Sequence, residues 1–302
     1  MIHAISGVHA AVLTPLTAEL APDVAAMARH CRWLLAHGCD GLAVLGTTGE
    51  ANSFTVDERL ALLEGLVEAG LPADTLLPGT GCCAIPDTVR LSRRATELGM
   101  RGVLMLPPFY YKNLDDDGLY AAFARTIDAI GDPRLRVLLY HFPQMSGVPI
   151  GQAVIGRLLD AYPGVVVGMK DSSGQLESML SVVKSFPGFA VLTGTDHTLL
   201  PLLRAGGAGC ITAAANIAAG LARQVCAGWR EPAVEEAHQL LSAVRAVFTV
   251  PPLVASLKEV MARHGGDPGW RRLRPPLMPL DRETADRVVA QLAATGYRPP
   301  AL

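Results

Sequence analysis

The sequence predicts a (β/α)8 TIM-type barrel followed by a helical C-terminal extension, and three observations predict it. Short apolar runs recur along the 302 residues with amphipathic helical stretches between them, the pattern of a parallel sheet covered by helices. Eight such runs are present, which favours closure into a barrel over an open doubly wound sheet. After about Ala218 the strand signal stops, so residues 1–218 read as the barrel carrying the active site and 219–302 as a helical appendage.

The elements follow in order. The first strand is expected over Val8–Thr14, before a helix over Asp23–His37 that Gly38 stops. A strand at Gly41–Gly46 leads to a helix over Val56–Ala69, whose start carries the capping-box pattern Thr55-x-x-Glu58. Strand Thr75–Gly79, helix Pro86–Leu98, strand Gly102–Leu106 and helix Gly118–Ile130 continue the alternation. Strand Arg136–His141 and helix Gly151–Ala161 precede Val165–Lys170, a continuous apolar run of the kind covered on both faces. Helix Leu176–Ser185, strand Phe189–Gly194, helix Thr198–Ala205 and strand Gly209–Ala213 complete the set. Beyond it, helices are broken by Pro251-Pro252 and by a Pro/Arg-rich stretch from Arg271 to Pro279.

Composition narrows the function. Half the residues are apolar and 18% are charged, which suits a large core and buried subunit interfaces. A net charge of -2 gives no basic patch for nucleic acid and no polybasic membrane anchor. Apolar stretches are too short to span a membrane, and the N-terminus lacks a secretory signal pattern, so a cytoplasmic location is expected. No G-x-G-x-x-G follows the first strand, which weakens dinucleotide binding. The six cysteines show no metal-ligand spacing with the histidines and no C-x-x-C, so neither metal nor cofactor is expected. Adjacent Cys82-Cys83 could be a reactive thiol.

In a barrel of this kind the chemistry collects at the C-terminal ends of the strands. Lys170 closes one strand, and the chain holds only four lysines against 22 arginines. An ammonium there loses water, which favours the neutral amine, and Lys forms imines where Arg cannot. Tyr140 ends the preceding strand, where a phenol can move protons to and from an imine. Gly46-Thr47-Thr48-Gly49 offers hydroxyls and backbone N–H groups at a strand-to-helix turn, a cradle for a carboxylate. Glu50 reads as a structural carboxylate satisfying backbone donors, and Asp171 and His141 as facing away from Lys170 and Tyr140. Gly194, Asp196 and Thr212 suit a hydroxylated substrate chain, and His197 could reach the mouth.

Together these residues resemble the family of dihydrodipicolinate synthase and N-acetylneuraminate lyase, class I Schiff-base enzymes acting on pyruvate and 2-keto acids. The motifs arrive in order: G-T-T-G-E at 46–50, Y-x-x-P at 140–143, G-x-K-x-x-x-G at 168–174 and G-x-I-T-x-x-x-N at 209–216. The resemblance implies that Lys170 forms the imine, Thr47 and Thr48 hold the pyruvate carboxylate, Tyr140 carries protons, and Ile211 lines the pocket. It implies a second tyrosine lent across a subunit interface, Tyr111 or its neighbour Tyr110, to complete a relay with Thr48 and Tyr140. It therefore implies a homotetramer built as a dimer of dimers. One position departs. The synthase carries an Arg two residues after the Pro of Y-x-x-P to bind the aldehyde substrate's carboxylate, and this chain has Met145. Met cannot supply that charge-assisted pair. The expected activity is thus aldol cleavage, condensation or dehydration of a 2-keto acid such as a 2-keto-3-deoxy sugar acid. Condensation of pyruvate with aspartate semialdehyde is the alternative, and a non-catalytic ligand-sensing barrel is a second alternative.

Overall fold

The computed structural model describes residues 5–250 and 252–301. Seven strands form one parallel sheet: β1 (Gly7–Ala11), β2 (Gly41–Ala43), β3 (Val103–Met105), β4 (Val137–His141), β5 (Val166–Asp171), β6 (Ala190–Thr193) and β7 (Gly209–Thr212). Their order across the sheet is β2-β1-β7-β6-β5-β4-β3. The eighth position belongs to residues 76–80, where a full strand over Thr75–Gly79 was expected. Ala73–Thr75 is a 3-10 turn instead, and Pro78 has no N–H to give a ladder. The segment still bonds to both neighbours: Leu77 and Gly79 donate to Leu42 and Val44, and Leu104 donates to Pro78 at 2.8 Å. These bonds bring the sheet close to a closed barrel.

Helices cover the outside: α1 (Val24–Ala36), α2 (Val56–Glu68), α3 (Ile85–Glu97), α4 (Asp116–Ile130), the short α5 (Pro143–Ser146), α6 (Gln152–Ala161), α7 (Leu176–Ser185), α8 (Leu199–Arg204) and α9 (Ala215–Gly228). The extension is α10 (Val234–Ala246), α11 (Leu253–Gly265) and α12 (Arg282–Ala294). The capping box at Thr55 and Glu58 is formed as its spacing implies. Of the Pro251-Pro252 break, Pro251 lies outside the described residues, and Pro252 is the N-cap of α11. The expected boundary at 218/219 falls inside α9, at a kink where Ala218 leaves helical geometry. α9 is the barrel's own last helix, so the extension proper begins near α10. No helix among the described residues is long and apolar enough to cross a membrane.

Strand alternation divides the core in two. Ala11, Ala43, Leu77, Leu104, Leu138, Ala190, Leu192 and Ile211 fill the barrel interior. Their strand neighbours, including Leu42, Leu139, Met169, Val191 and Cys210, pack outward against the helices. Asn216 closes the seam between β1 and α9. Its amide donates to the carbonyls of Ala11 and Ala213, and its oxygen accepts from Leu13 N at 3.1 Å and His30 Nε2 at 3.0 Å. Burial takes His30 down to about 4, so the ring is neutral and can donate to that oxygen.

The extension is fastened to the barrel by a buried ion pair. Lys258 on α11 donates to Glu50 Oε1 at 2.5 Å and to the Arg272 carbonyl at 2.8 Å, and neither charged side chain has accessible surface. Burial lowers the Lys258 ammonium below the ordinary lysine range, and Glu50 opposes that. The other Glu50 oxygen accepts from Arg274 N at 3.1 Å. Glu50 thus satisfies a backbone donor, as expected, but one from the far end of the chain.

Removing one partner of such a pair strands the other charge in the interior. Glu50→Gln or Lys258→Met alone is expected to cost about 3–5 kcal/mol in urea unfolding. The double variant should recover part of that loss. A cost below about 1 kcal/mol for either single change would show that the pair is dispensable.

Candidate active site

Lys170 points into the barrel because β5 slips by one residue. Val137 pairs with Val166, but Leu138 pairs with Gly168, so Val167 is extra. Both Val167 and Gly168 then face inward, and the alternation that follows turns Met169 outward and Lys170 inward. Without the slip, Lys170 would face the helices. Gly168 makes the slip possible: a Cβ there would lie 2.4 Å from the Ala190 carbonyl oxygen and 2.7 Å from Leu138 Cδ2. That is the physical content of the glycine two residues before the lysine.

The slip sets Lys170 beside Tyr140 in register, with Leu192 on its other side. Its Nζ lies 4.4 Å from the centroid of the Tyr140 ring. Lys170 is 5% exposed, with no carboxylate within 4.0 Å and no hydrogen-bond partner among the described residues. The contrast with Lys258 is direct. One buried lysine is fully paired and structural, and the other is held among neutral groups. The Tyr140 hydroxyl lies 3.3 Å from Thr47 Oγ1.

Thr47 and Thr48 sit in a loop whose shape is imposed from both ends. Leu45 and Glu50, neither a glycine, adopt left-handed φ values of 54° and 57°. Such strain persists where surrounding contacts over-determine it. Here Glu50 is fixed by Lys258 and Arg274, and Thr14 Oγ1 donates to the Gly49 carbonyl at 2.8 Å. Gly49 has no room for a side chain, since a Cβ would meet the Val12 carbonyl oxygen at 2.8 Å. The Thr48 side chain is buried and makes no hydrogen bond among the described residues, which leaves its hydroxyl free for a ligand. Ile211 faces inward on β7, and Gly194 lies against Ser172, where a Cβ would come within 2.1 Å of its hydroxyl.

Other expected residues are placed elsewhere. Thr212 follows inward-facing Ile211 and is therefore turned outward, where it donates to Asp196 Oδ1 at 2.8 Å. Asp196 has no accessible surface, and its second oxygen faces Arg245 of α10 at 3.8 Å. The pair braces the barrel against the extension rather than meeting the mouth. Burial raises the Asp196 carboxyl to about 6, opposed by Thr212 and Arg245. His197 is exposed beside this network, its ring lowered by desolvation, Arg245 and His238. Asp171 faces outward and accepts from Ser173 N at 2.8 Å, and His141 accepts from Ile150 N at 3.1 Å.

The rim carries the remaining residues. Gln144 of α5 donates to the Ser173 carbonyl at 2.7 Å, which holds that short helix over the turn after Lys170. Met145, beside Gln144, is 63% exposed. Lys112 donates to the Ser146 and Phe109 carbonyls and ties the 107–114 loop to α5. On that loop Tyr110 and Tyr111 stand 75% and 71% exposed, their rings edge to face at 5.4 Å. Among the described residues neither hydrogen-bonds to Thr48, Tyr140 or Lys170.

Residues 4–295 match the model of the Dihydrodipicolinate synthetase family. An uncharacterized DapA-like lyase of Chloroflexus aurantiacus is 38% identical over 283 residues, with 92% of each chain covered. Dihydrodipicolinate synthase from Agrobacterium tumefaciens superposes with a TM-score of 0.90 at 30% identity, covering 96% of this chain and 99% of that one. YagE, a prophage protein of the dihydrodipicolinic acid synthase family from E. coli K12 solved with pyruvate, gives 0.87 at 28% identity, covering 97% and 99%.

Asp196 yields a pH signature. Its folded value of about 6 lies above the usual 3.8, so the folded state binds the proton more tightly, and stability falls as pH rises from about 4 to above 6. Asp196→Asn removes that slope. The variant should gain on the unaltered protein by up to about 3 kcal/mol between pH 4 and 7, at 1.36 kcal/mol per pH unit, measured by urea unfolding. A difference that does not change with pH overturns this account.

Proposed function

The chain belongs to the Dihydrodipicolinate synthetase family, and from that premise we propose that it is a Schiff-base lyase of 2-keto acids, with Lys170 as the imine-forming amine. The observation that carries the proposal is Lys170 itself: a buried amine without an acid, in register with Tyr140 and one residue layer from Thr47. A lysine amine engaged by no acid is available to form an imine with a keto carbon.

In this reading Thr47, the free Thr48 hydroxyl and the N–H groups of their turn hold the keto-acid carboxylate. Neutral donors suit the task because a cation there would compete with the lysine for the carboxylate. Lys170 Nζ attacks the keto carbon, and water leaves as the imine forms. The protonated imine then accepts the electron pair of the breaking C3–C4 bond, while Tyr140 takes the proton of the C4 hydroxyl. An aldehyde departs, the resulting enamine is protonated at C3, and water releases pyruvate and the free amine. Condensation is the reverse, and dehydration uses the same imine with loss of a hydroxyl from C4. Gly194 and Ile211 shape the pocket wall. The complex of YagE with pyruvate supports a keto-acid site in a chain of this fold.

Tyr110 and Tyr111 complete the proposal at the level of assembly. Two exposed phenols standing off the rim, packed edge to face on each other, suit a subunit contact, so we assign a homotetramer in which one is lent to a neighbour's Thr48 and Tyr140. The second substrate is a 2-keto-3-deoxy sugar acid or its aldehyde product rather than aspartate semialdehyde. Met145 itself supplies no cation for a second carboxylate, and Lys112, the ammonium nearby, is engaged by the Phe109 and Ser146 carbonyls.

Borohydride reduction with pyruvate should attach one pyruvate-derived group to Lys170, read by peptide mass, and Lys170→Ala should abolish it. Tyr140→Phe should keep the adduct while lowering turnover by roughly 10²–10⁴-fold. An adduct on another lysine sinks the proposal. For the second substrate, keto-sugar-acid cleavage should exceed condensation with aspartate semialdehyde. Met145→Arg should raise that condensation by roughly tenfold or more, the worth of one charge-assisted hydrogen bond. Efficient condensation by the unaltered protein overturns the substrate preference.

A further inference from the structure

Arg59 on α2 is a buried guanidinium with no acid. It is 3% exposed, and no carboxylate lies within 4.0 Å of it among the described residues. Its Nη2 donates to the Gly79 carbonyl at 2.7 Å, its Nη1 to Cys82 Sγ at 3.1 Å, and its buried Nε has no partner. The group placed to supply its counter-charge is therefore a thiol. Beside Cys82, which is half-buried, stands Cys83, which is exposed. All six cysteines are free, and these two are adjacent in the chain.

We propose that Cys82 and Cys83 are a redox-active vicinal pair, closed by low-molecular-weight disulfides, whose closure is transmitted through Arg59 to Thr47 and Tyr140. The exposed Cys83, as thiolate, attacks one sulfur of the incoming disulfide. One small thiol leaves and takes up a proton, and a mixed disulfide remains on Cys83. Cys82, whose sulfur accepts from the Arg59 guanidinium, then loses its proton to solvent, attacks Cys83 Sγ and expels the second small thiol, which takes up a proton. Two protein thiols are oxidised to one ring disulfide, and one small disulfide is reduced to two small thiols. Burial keeps the Cys82 thiol above its usual range and Arg59 opposes it, so the exposed partner is the one that attacks first.

The ring is a switch rather than a staple. Adjacent Cα atoms lie about 3.8 Å apart across a trans peptide, short of the roughly 4.4–6.8 Å that disulfides span. Closure therefore strains the backbone, and a strained disulfide is readily reduced. Backbone motion here has a short path to the site. Cys82 N donates to Thr88 Oγ1 at 3.0 Å, and Gly79 N donates to Val44 O at 2.8 Å. Gly79 lies so close to the Thr47 loop that a Cβ would fall 2.2 Å from the Leu45 carbonyl oxygen. Arg59, Gly79, Gly81, Gly46, Thr47 and Tyr140 share the lining of one cavity of about 10 Å³. Drawing Cys82 away from Arg59 removes one of that guanidinium's two anchors beside the tyrosine.

The effect on turnover rests on the lyase reading; the formation of the ring does not. The full chain is incubated over a range of oxidised to reduced glutathione and read by peptide mass. The peptide holding residues 82 and 83 should lose two hydrogens without retaining glutathione, and dithiothreitol should restore it. Cys82→Ser should instead keep glutathione on Cys83. Keto-acid turnover should fall at least tenfold as the ring forms, recover on reduction, and resist oxidant in Cys83→Ser. Glutathione stable on Cys83 of the unaltered protein, or no change at either cysteine, overturns the pair. A ring with unchanged turnover overturns the coupling. Absence of turnover in the reduced protein would count against the lyase reading alone, with the mass still deciding the pair.

Discussion

The contact between Glu50 and Lys258 holds the site and the extension in one structure. It joins the loop after β2 to α11, two segments separated by most of the chain. A buried ion pair is weak as a source of net stability, because desolvation offsets attraction. Its worth here is positional. Glu50 occupies a left-handed conformation that a non-glycine residue adopts only when held, and it closes the turn that carries Thr47 and Thr48. The extension therefore backs the turn that carries Thr47 and Thr48.

The two buried lysines show how environment divides one side chain between two uses. Lys258 meets a carboxylate and a carbonyl, and its charge is spoken for. Lys170 meets the face of the Tyr140 ring and aliphatic neighbours, with no carboxylate within 4.0 Å among the described residues. The lysine without an acid is the one that the proposed imine chemistry uses. The same logic separates Thr48, whose hydroxyl is free, from Thr212, whose hydroxyl is committed to Asp196.

Specificity and regulation fall on the rim and behind it. α5 carries Met145 over the mouth, and Lys112 couples it to the loop of exposed tyrosines. A change at either place alters what the mouth accepts without touching the lysine. Behind the mouth, Arg59 donates to the Gly79 carbonyl and to Cys82, and it lines one small cavity together with Thr47 and Tyr140. The proposed substrate selection and the proposed redox switch thus lie in different parts of one scaffold.

The sequence by itself determined the alternation of strands and helices, the helical ending, and the roster of strand-end residues, because hydrophobic period and turn chemistry are local. It determined that Lys170 and Tyr140 lie at the ends of adjacent strands. It did not determine which way they face. A strict two-residue alternation from Val166 would turn Lys170 outward, and only the slip at Val167 and Gly168, set by contact with Ala190 and Leu138, turns it in. Thr212 and Asp196 were legible as polar strand-end residues, but their direction depended on register and on Arg245 from a distant helix. Pro78 marked the one strand that the ladder could not complete. The pairing of Glu50 with Lys258 was invisible, since nothing local distinguishes a lysine that will meet a carboxylate across the fold from one that will not. Tertiary structure decided direction and pairing, because both depend on contacts between segments that the chain brings together only on folding.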